Sequence, residues 1–212
     1  MQRITIAACQ ARLVPLIGKV HHVEKTKNKG NAGHHLETLL GIPHSSECLD
    51  CLDGELKAFP LKSLKSGELV PKETIAVTMC SESFKEEPFE SSRVCKKLSN
   101  TLFVPYTWSD EGNLVFYTPV LFTRDFISTE VKSLGKEEEL KTELFTAEHT
   151  LWHKLQEDYA TIQTKANEGV MTGSIGEYLQ TRTKGAGHGS TSRAFYLRPK
   201  FVKEIFPEGF KC

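Results

Sequence analysis

The sequence predicts a mixed α/β (α+β) protein, and three observations carry that expectation. Residues 73–79, 102–106 and 113–122 are rich in β-branched and aromatic side chains and read as strands. Between about 137 and 165, Leu140, Leu144, Ala147, Leu151, Leu155, Tyr159 and Ile162 recur every three or four positions, the period of one helix face. Strands and helices are interspersed with no internal repeat and no low-complexity linker, which suits a mixed sheet with flanking helices.

The remaining elements follow in chain order. Residues 3–8 read as a short strand or the start of a helix, and 19–30 are polar and end in a turn. Residues 31–40 form a helix with Leu36, Leu39 and Leu40 on its apolar side, stopped by Gly41-Ile42-Pro43. Residues 52–59 alternate as a strand. Asp53, Glu55 and Lys57 fall on one of its faces, and Gly54 weakens the pattern. Residues 89–100 read as a short basic helix, and Ser109-Asp110-Glu111-Gly112 is the turn between two strands. After the long helix, 177–182 and 193–197 read as strands around a glycine-rich loop, Lys184-Gly185-Ala186-Gly187-His188-Gly189.

With 212 residues, the chain suits one domain or one two-lobed domain. Hydrophobic residues at 39% and charged residues at 25% exclude a disordered, collagen-like or polar low-complexity chain. No apolar run approaches the ~18 residues of a membrane span. The N-terminus lacks the apolar core of a signal peptide, so a cytoplasmic protein is expected. Six cysteines in a chain of this length do not make a disulfide scaffold. The zero net charge hides a pattern: residues 1–30 and 181–212 each carry +5, and residues 31–180 carry −10. Basic termini on an acidic body can dock phosphates whatever the total, and scattered solvated lysines give the same count.

The segment Asp50-Cys51-Leu52-Asp53-Gly54-Glu55-Leu56-Lys57 carries the most chemistry. On a strand, Glu55 and Lys57 project together, and Asp50, just before it, can turn to meet Glu55. Two carboxylates and a backbone carbonyl make a hard oxygen site suited to Mg²⁺. A lysine beside them can orient water at a phosphate, the equipment of metal-assisted phosphodiester hydrolysis. An acid and a lysine two apart on a strand are also common on a solvated face. Glu37, on the preceding helix with small Gly30, Ala32 and Gly33, either joins this shell or is an exposed helix charge. Cys48 and Cys51 form one C-x-x-C near His44. Zinc usually takes four ligands from two such pairs, and no second pair exists. The adjacent histidines His21-His22 and His34-His35 point apart and do not chelate as pairs. The loop 185–189 lacks the Gly-Lys-Ser/Thr ending of a nucleotide loop.

A helix glutamate followed by Asp, Glu and Lys in a Glu-Leu-Lys strand resembles the PD-(D/E)xK nuclease core. Four stretches, 29–40, 54–64, 91–105 and 177–202, resemble the MutH family and the related GATC-cutting restriction enzymes of the Sau type. The last contains Tyr178-Leu179-Gln180-Thr181-Arg182-Thr183-Lys184 and Phe195-Tyr196-Leu197-Arg198-Pro199-Lys200-Phe201. The resemblance implies a restriction-endonuclease-like sheet core in a single domain, 1–212. A catalytic lobe of roughly 1–110 and a DNA-reading lobe of roughly 111–212 would flank a DNA-binding cleft. It implies Asp50, Glu55 and Lys57 as the catalytic Asp, Glu and Lys, Glu37 as the helix glutamate and Lys97 as a supporting lysine. Asp50, Glu55 and Glu37 would bind Mg²⁺, with Mn²⁺ a possible substitute. Arg182 and Lys184 match the DNA-reading pair, and Tyr196 a tyrosine near the adenine whose methylation the family senses. Lys200 would neutralise phosphate. The short spacing from Asp50 to Glu55 leaves Asp53 a rival for the first carboxylate, and Thr183 stands where the repair enzyme has proline. Apart from the family, Arg182 and Lys184 also read as edge-strand charges. The implied activity is a Mg²⁺-dependent endonuclease on double-stranded DNA at GATC. One form is a restriction enzyme. Another is a repair enzyme that nicks the unmethylated strand and depends on a MutL-type protein. A third is a DNA-binding relative that has lost catalysis. The chain would act as a monomer or pair on DNA, with no membrane partner.

Overall fold

The computed structural model describes residues 3–23, 30–43, 46–126, 150–184 and 192–212. The chain divides into two compact units that interleave along the sequence. The first holds Met1–Glu73, Asn100–Phe122 and Glu208–Cys212, the second Thr74–Ser99 and Thr123–Pro207.

The first unit is built on a six-stranded mixed sheet. Its strands are β1 (Val20–His22), β2 (Glu55–Ser63), β3 (Leu69–Pro71), β5 (Asn100–Trp108), β6 (Asn113–Phe116) and β7 (Val120–Thr123). The order is β1-β6-β5-β2-β3, with β7 also pairing to β5. The centre is the parallel pair β2 and β5, in register from Glu55 opposite Thr101 to Pro60 opposite Tyr106. β2 with β3, β5 with β6 and β1 with β6 are antiparallel.

Helices α1 (Ile6–Leu13) and α2 (Asn31–Leu40) supply the apolar cover of one sheet face. Ile6, Cys9 and Leu13 of α1, and Ala32, Leu36 and Leu40 of α2, recur at helical steps and bury together with Leu56, Leu102, Val104 and Phe116. Leu56 and Ala58 thus face the helices. By alternation, Glu55, Lys57 and Phe59 point to the other face, where the Phe59 ring lies 6.1 Å from that of Phe210.

The second unit is a three-stranded antiparallel sheet in the order β4 (Ile75–Met79), β9 (Arg193–Leu197), β8 (Leu179–Thr183). With it go α3 (Arg93–Leu98), α4 (Leu151–Asn167) and α5 (Pro199–Ile205). Leu151, Leu155, Tyr159 and Ile162 of α4 are buried, and the Tyr159 ring stacks on Phe195 of β9 at 5.4 Å. Thr150 caps α4, accepting a hydrogen bond from the His153 N–H at 3.1 Å.

Several expectations shift. Thr5 is extended and the helix begins at Ile6, where the Thr5 hydroxyl caps it. The strand expected at 52–59 begins at Glu55 and runs on to Ser63, because the Cys51 N–H bonds to the Gly54 carbonyl and closes a turn first. Gly54 does not weaken the strand. A Cβ there would lie 2.3 Å from the Asn100 carbonyl and 2.5 Å from Ile6 Cγ1, so glycine is what lets β5 and α1 approach. The basic helix at 89–100 is a 3₁₀ turn, Phe89–Ser91, then α3, with Ser92 capping α3 through the Cys95 N–H. The strand at 113–122 is two strands, β6 and β7, since Pro119 has no N–H for a ladder. Leu140, Leu144 and Ala147 of the long helix lie outside the described residues. β1, β3 and α5 carry no signal that the sequence reading used. No described helix is long and apolar enough to cross a membrane.

Candidate functional site

β2 opens on an ion pair. Glu55 is 1% exposed, and its Oε1 lies 2.6 Å from Lys57 Nζ. The two side chains share a strand face, as their spacing requires. Burying an ion pair costs solvation, so a carboxylate this deep at a strand end is held there by its lysine.

Asp50 and Asp53 lie in the turn before β2 and point to different work. Asp50 Oδ2 accepts a hydrogen bond from the Leu56 N–H at 3.1 Å, which ties its carboxylate to the first residues of the strand. Asp53 Oδ1 accepts from the Ile6 N–H at 2.7 Å, at the first residue of α1. An anion there satisfies an otherwise unbonded N–H and favours the helix dipole. The Asp53 carbonyl also accepts from Asn100 Nδ2 at 2.9 Å. Asp53 therefore does not share the face of Glu55 and Lys57, contrary to the expected alternation, because it precedes the strand.

Glu37 lies on α2, the helix that packs on the Leu56 face of β2, and its Oε2 is 3.3 Å from His34 Nδ1. Among the described residues, no group of three or more His, Cys, Asp or Glu side chains gathers where it could hold a metal ion. The expected trio of Glu37, Asp50 and Glu55 is thus not assembled. Asp50 and Glu55 still fit Mg²⁺ in kind. Both are hard oxygen donors, and Mg²⁺ commonly takes only one or two carboxylates, completing its shell with waters and substrate phosphate oxygens. The thiol beside Asp50, Cys51, is buried against Cys9. The hydrogen bond between them holds the Cys9 thiol below its usual range and, with burial, pushes Cys51 up. Cys48 is a free, half-buried thiol, and His44 lies outside the described residues. Lys97 sits in the last turn of α3 and belongs to the second unit.

The second unit brings the expected DNA-reading residues onto one sheet. Arg182 is exposed on β8 and pairs with Ala194, and Gln180 pairs with Tyr196 of β9. Directly opposed residues point to one face, and so do alternate ones, so Gln180, Arg182 and Tyr196 share a face. Lys184, just past β8, extends the ladder by donating its N–H to the Ser192 carbonyl at 2.8 Å. Lys200 is on α5 instead. Its Nζ lies 5.1 Å from the centre of the Tyr178 ring and pairs with Glu177, which raises the lysine and lowers the glutamate from their usual values. Residues 185–189 lie outside the described residues.

The sequence reading missed Asp158. It is 8% exposed on the buried stripe of α4, where its carboxylate accepts three backbone N–H groups, those of Glu177, Tyr178 and Leu179. The signal was present: an acid three residues after Leu155 and four before Ile162 interrupts the apolar stripe.

Residues 44–123 match the family model described as "MutH: DNA mismatch repair enzyme MutH". No curated protein matches the chain. Among solved structures, the chain is similar to "Restriction endonuclease MvaI-cognate DNA substrate complex", with 12% identity, a TM-score of 0.46, and coverage of 92% of this chain and 94% of that one. The fold is a mixed α/β one with a central mixed sheet flanked by helices, and the likeness to the mismatch-repair family model lies in residues 44–123.

Proposed function

We propose that the chain is a metal-dependent endonuclease on double-stranded DNA, acting at GATC or a close relative of it. The observation that carries this reading is the buried Glu55 paired with Lys57 at the start of a central parallel strand, inside the segment that matches a nuclease family. Asp50 and Glu55 are the residues that would hold Mg²⁺ or Mn²⁺, and Asp53 is left to its helix. A metal there supplies polarisation of the phosphate and a lowered pKa for water. Lys57 holds and orients the attacking water and offsets charge at the phosphate. Arg182 and Lys184 donate to base edges, of which guanine O6 and N7 suit them best. Tyr196 stands on the same sheet face, and Lys200 meets the phosphate backbone.

The first form is a restriction-type enzyme that cuts both strands. The second is a repair-type enzyme that nicks the unmethylated strand with a MutL-type partner, and the description of the matching family favours it. The test uses three plasmids, unmethylated, hemimethylated and fully methylated at GATC adenines, with Mg²⁺. Linear products ending at GATC support the first form. Nicks confined to the unmethylated strand, stimulated by a MutL-type protein, support the second. Glu55→Gln should abolish cutting of every substrate and preserve DNA binding. Cutting that survives in Glu55→Gln refutes the assigned centre, and a wild type that binds but never cuts makes the chain a DNA-binding relative without catalysis.

A further inference from the structure

We infer that Asp158 is a positioning residue that sets the register of the DNA-reading strand β8, an inference that rests on the recognition role proposed for Arg182 and Lys184. The β8–β9 connection runs from Lys184 to Ser192. Short, defined turns fix hairpin register, and the seven residues between Lys184 and Ser192 exceed the two to five of such turns. A slip of one residue would turn Arg182 to the opposite sheet face. A hold at the other end of the strand therefore adds to the register that the buried side chains of β8 and β9 set.

The structure provides that anchor in the turn leading into β8. Asp158 Oδ1 accepts from the Glu177 N–H at 2.7 Å, and Oδ2 from the Tyr178 and Leu179 N–H groups at 2.6 and 2.8 Å. Leu179 is the first residue of β8. Charge-assisted bonds from three consecutive amides to one buried carboxylate fix both position and direction of the chain. A second hold comes from Arg198, between β9 and α5. Its guanidinium Nη2 donates to the carbonyls of Gly173 at 2.5 Å and Ile175 at 3.4 Å. Its backbone N–H donates to the Tyr178 carbonyl at 2.8 Å. Gly176 closes the turn at φ +81, where a Cβ would lie 2.0 Å from the Leu179 carbonyl. From Leu179, three steps along the strand reach Arg182, paired with Ala194.

Asp158→Asn keeps the shape but replaces one accepting oxygen with a donor, and Arg198→Met removes the guanidinium bonds of the second hold. Ile162→Val, also buried on α4, is the destabilised control. The readouts are amide exchange over residues 179–183 and the ratio of kcat/KM for a GATC duplex to that for a duplex of permuted sequence. Asp158→Asn should speed exchange at Leu179–Thr183 and lower the ratio about tenfold, the loss of one good base contact. It should leave kcat/KM on the permuted duplex within about twofold, since phosphate contacts carry that term. Arg198→Met should move both readouts the same way, and Ile162→Val should move neither after correction for its lower Tm. An unchanged ratio in Asp158→Asn, or unchanged exchange at 179–183, overturns the inference while the recognition reading stands. A wild type with no preference between the duplexes overturns the recognition reading, and this inference with it.

Discussion

Lys57→Met separates a held carboxylate from a merely solvated one. Methionine keeps most of the apolar stem and deletes the ammonium. At 2.6 Å, with an effective dielectric near 20, the attraction lost is about 6 kcal/mol. Lys57 is 21% exposed, so water returns part of this to the lysine, whereas Glu55 at 1% recovers little. Breaking one side of a buried pair generally costs about 3–5 kcal/mol, and the exposed side of this pair puts the expectation at about 3. In a chain of this size that lowers Tm by roughly 6–12 °C. Glu55→Gln should cost about 1 kcal/mol, because its lysine can turn outward. The double variant should lose about 2 kcal/mol less than the sum of the singles, which is the coupling of the pair. Urea unfolding of the four proteins at neutral pH gives all the values. A loss under about 1 kcal/mol in Lys57→Met, or strict additivity, would refute the argument that Lys57 holds Glu55 in place.

Asp53→Ala should cost about 1 kcal/mol through its lost cap on α1 and leave any DNA cleavage intact, whereas Asp50→Asn should abolish cleavage with a smaller change in Tm. Equal cleavage by the two variants would remove Asp50 from the metal site. Burial, and beyond it the neighbouring His21, hold His35 below its ordinary value of 6.5. The folded state therefore binds fewer protons there than the unfolded state. That stability is present above about pH 6.5 and is lost as pH falls through the depressed value. His35→Gln should flatten the fall of Tm between about pH 7 and 5, and an unaltered slope would assign the acid sensitivity elsewhere.

Much of the fold is legible because period and burial agree. Residues 31–40 and 193–197 fall where the sequence places them, since Ala32, Leu36 and Leu40 line one helix face and β9 has Ala194, Phe195 and Leu197 buried. β1, β3 and α5 are less legible for a local reason. Val20-His21-His22 and Leu69-Val70-Pro71 are three residues each, too short for alternation to show, and α5 opens on Pro199 directly after a strand. Glu55 and Lys57 are legible as neighbours because strand geometry alone pairs them. The partners of Asp158 at the start of β8 are not, since Asp158 and Tyr178 lie twenty residues apart and meet only through a turn.

The two aspartates of the turn show where spacing stops being informative. Asp50 and Asp53 are equally able, by composition, to stand before Glu55. What separates them is the turn closed by the Cys51 N–H on the Gly54 carbonyl, together with the bond from the Leu52 N–H to the Ile4 carbonyl. The Leu52 bond lays the segment against residues 3–5, and Arg3 Nη1 adds a second link by donating to the Leu49 carbonyl at 3.1 Å. Asp53 is thereby set at the open amide of Ile6, where an acid stabilises α1. Asp50, on the other side of the turn, meets Leu56, the neighbour of Glu55. The different partners of the two aspartates thus follow from where α1 begins, and α1 begins at Ile6 because Thr5 caps it and Gly54 leaves room for the Ile6 side chain. A division of partners that depends on two segments nearly fifty residues apart is a property of their packing, and no spacing rule within residues 50–57 could have predicted it.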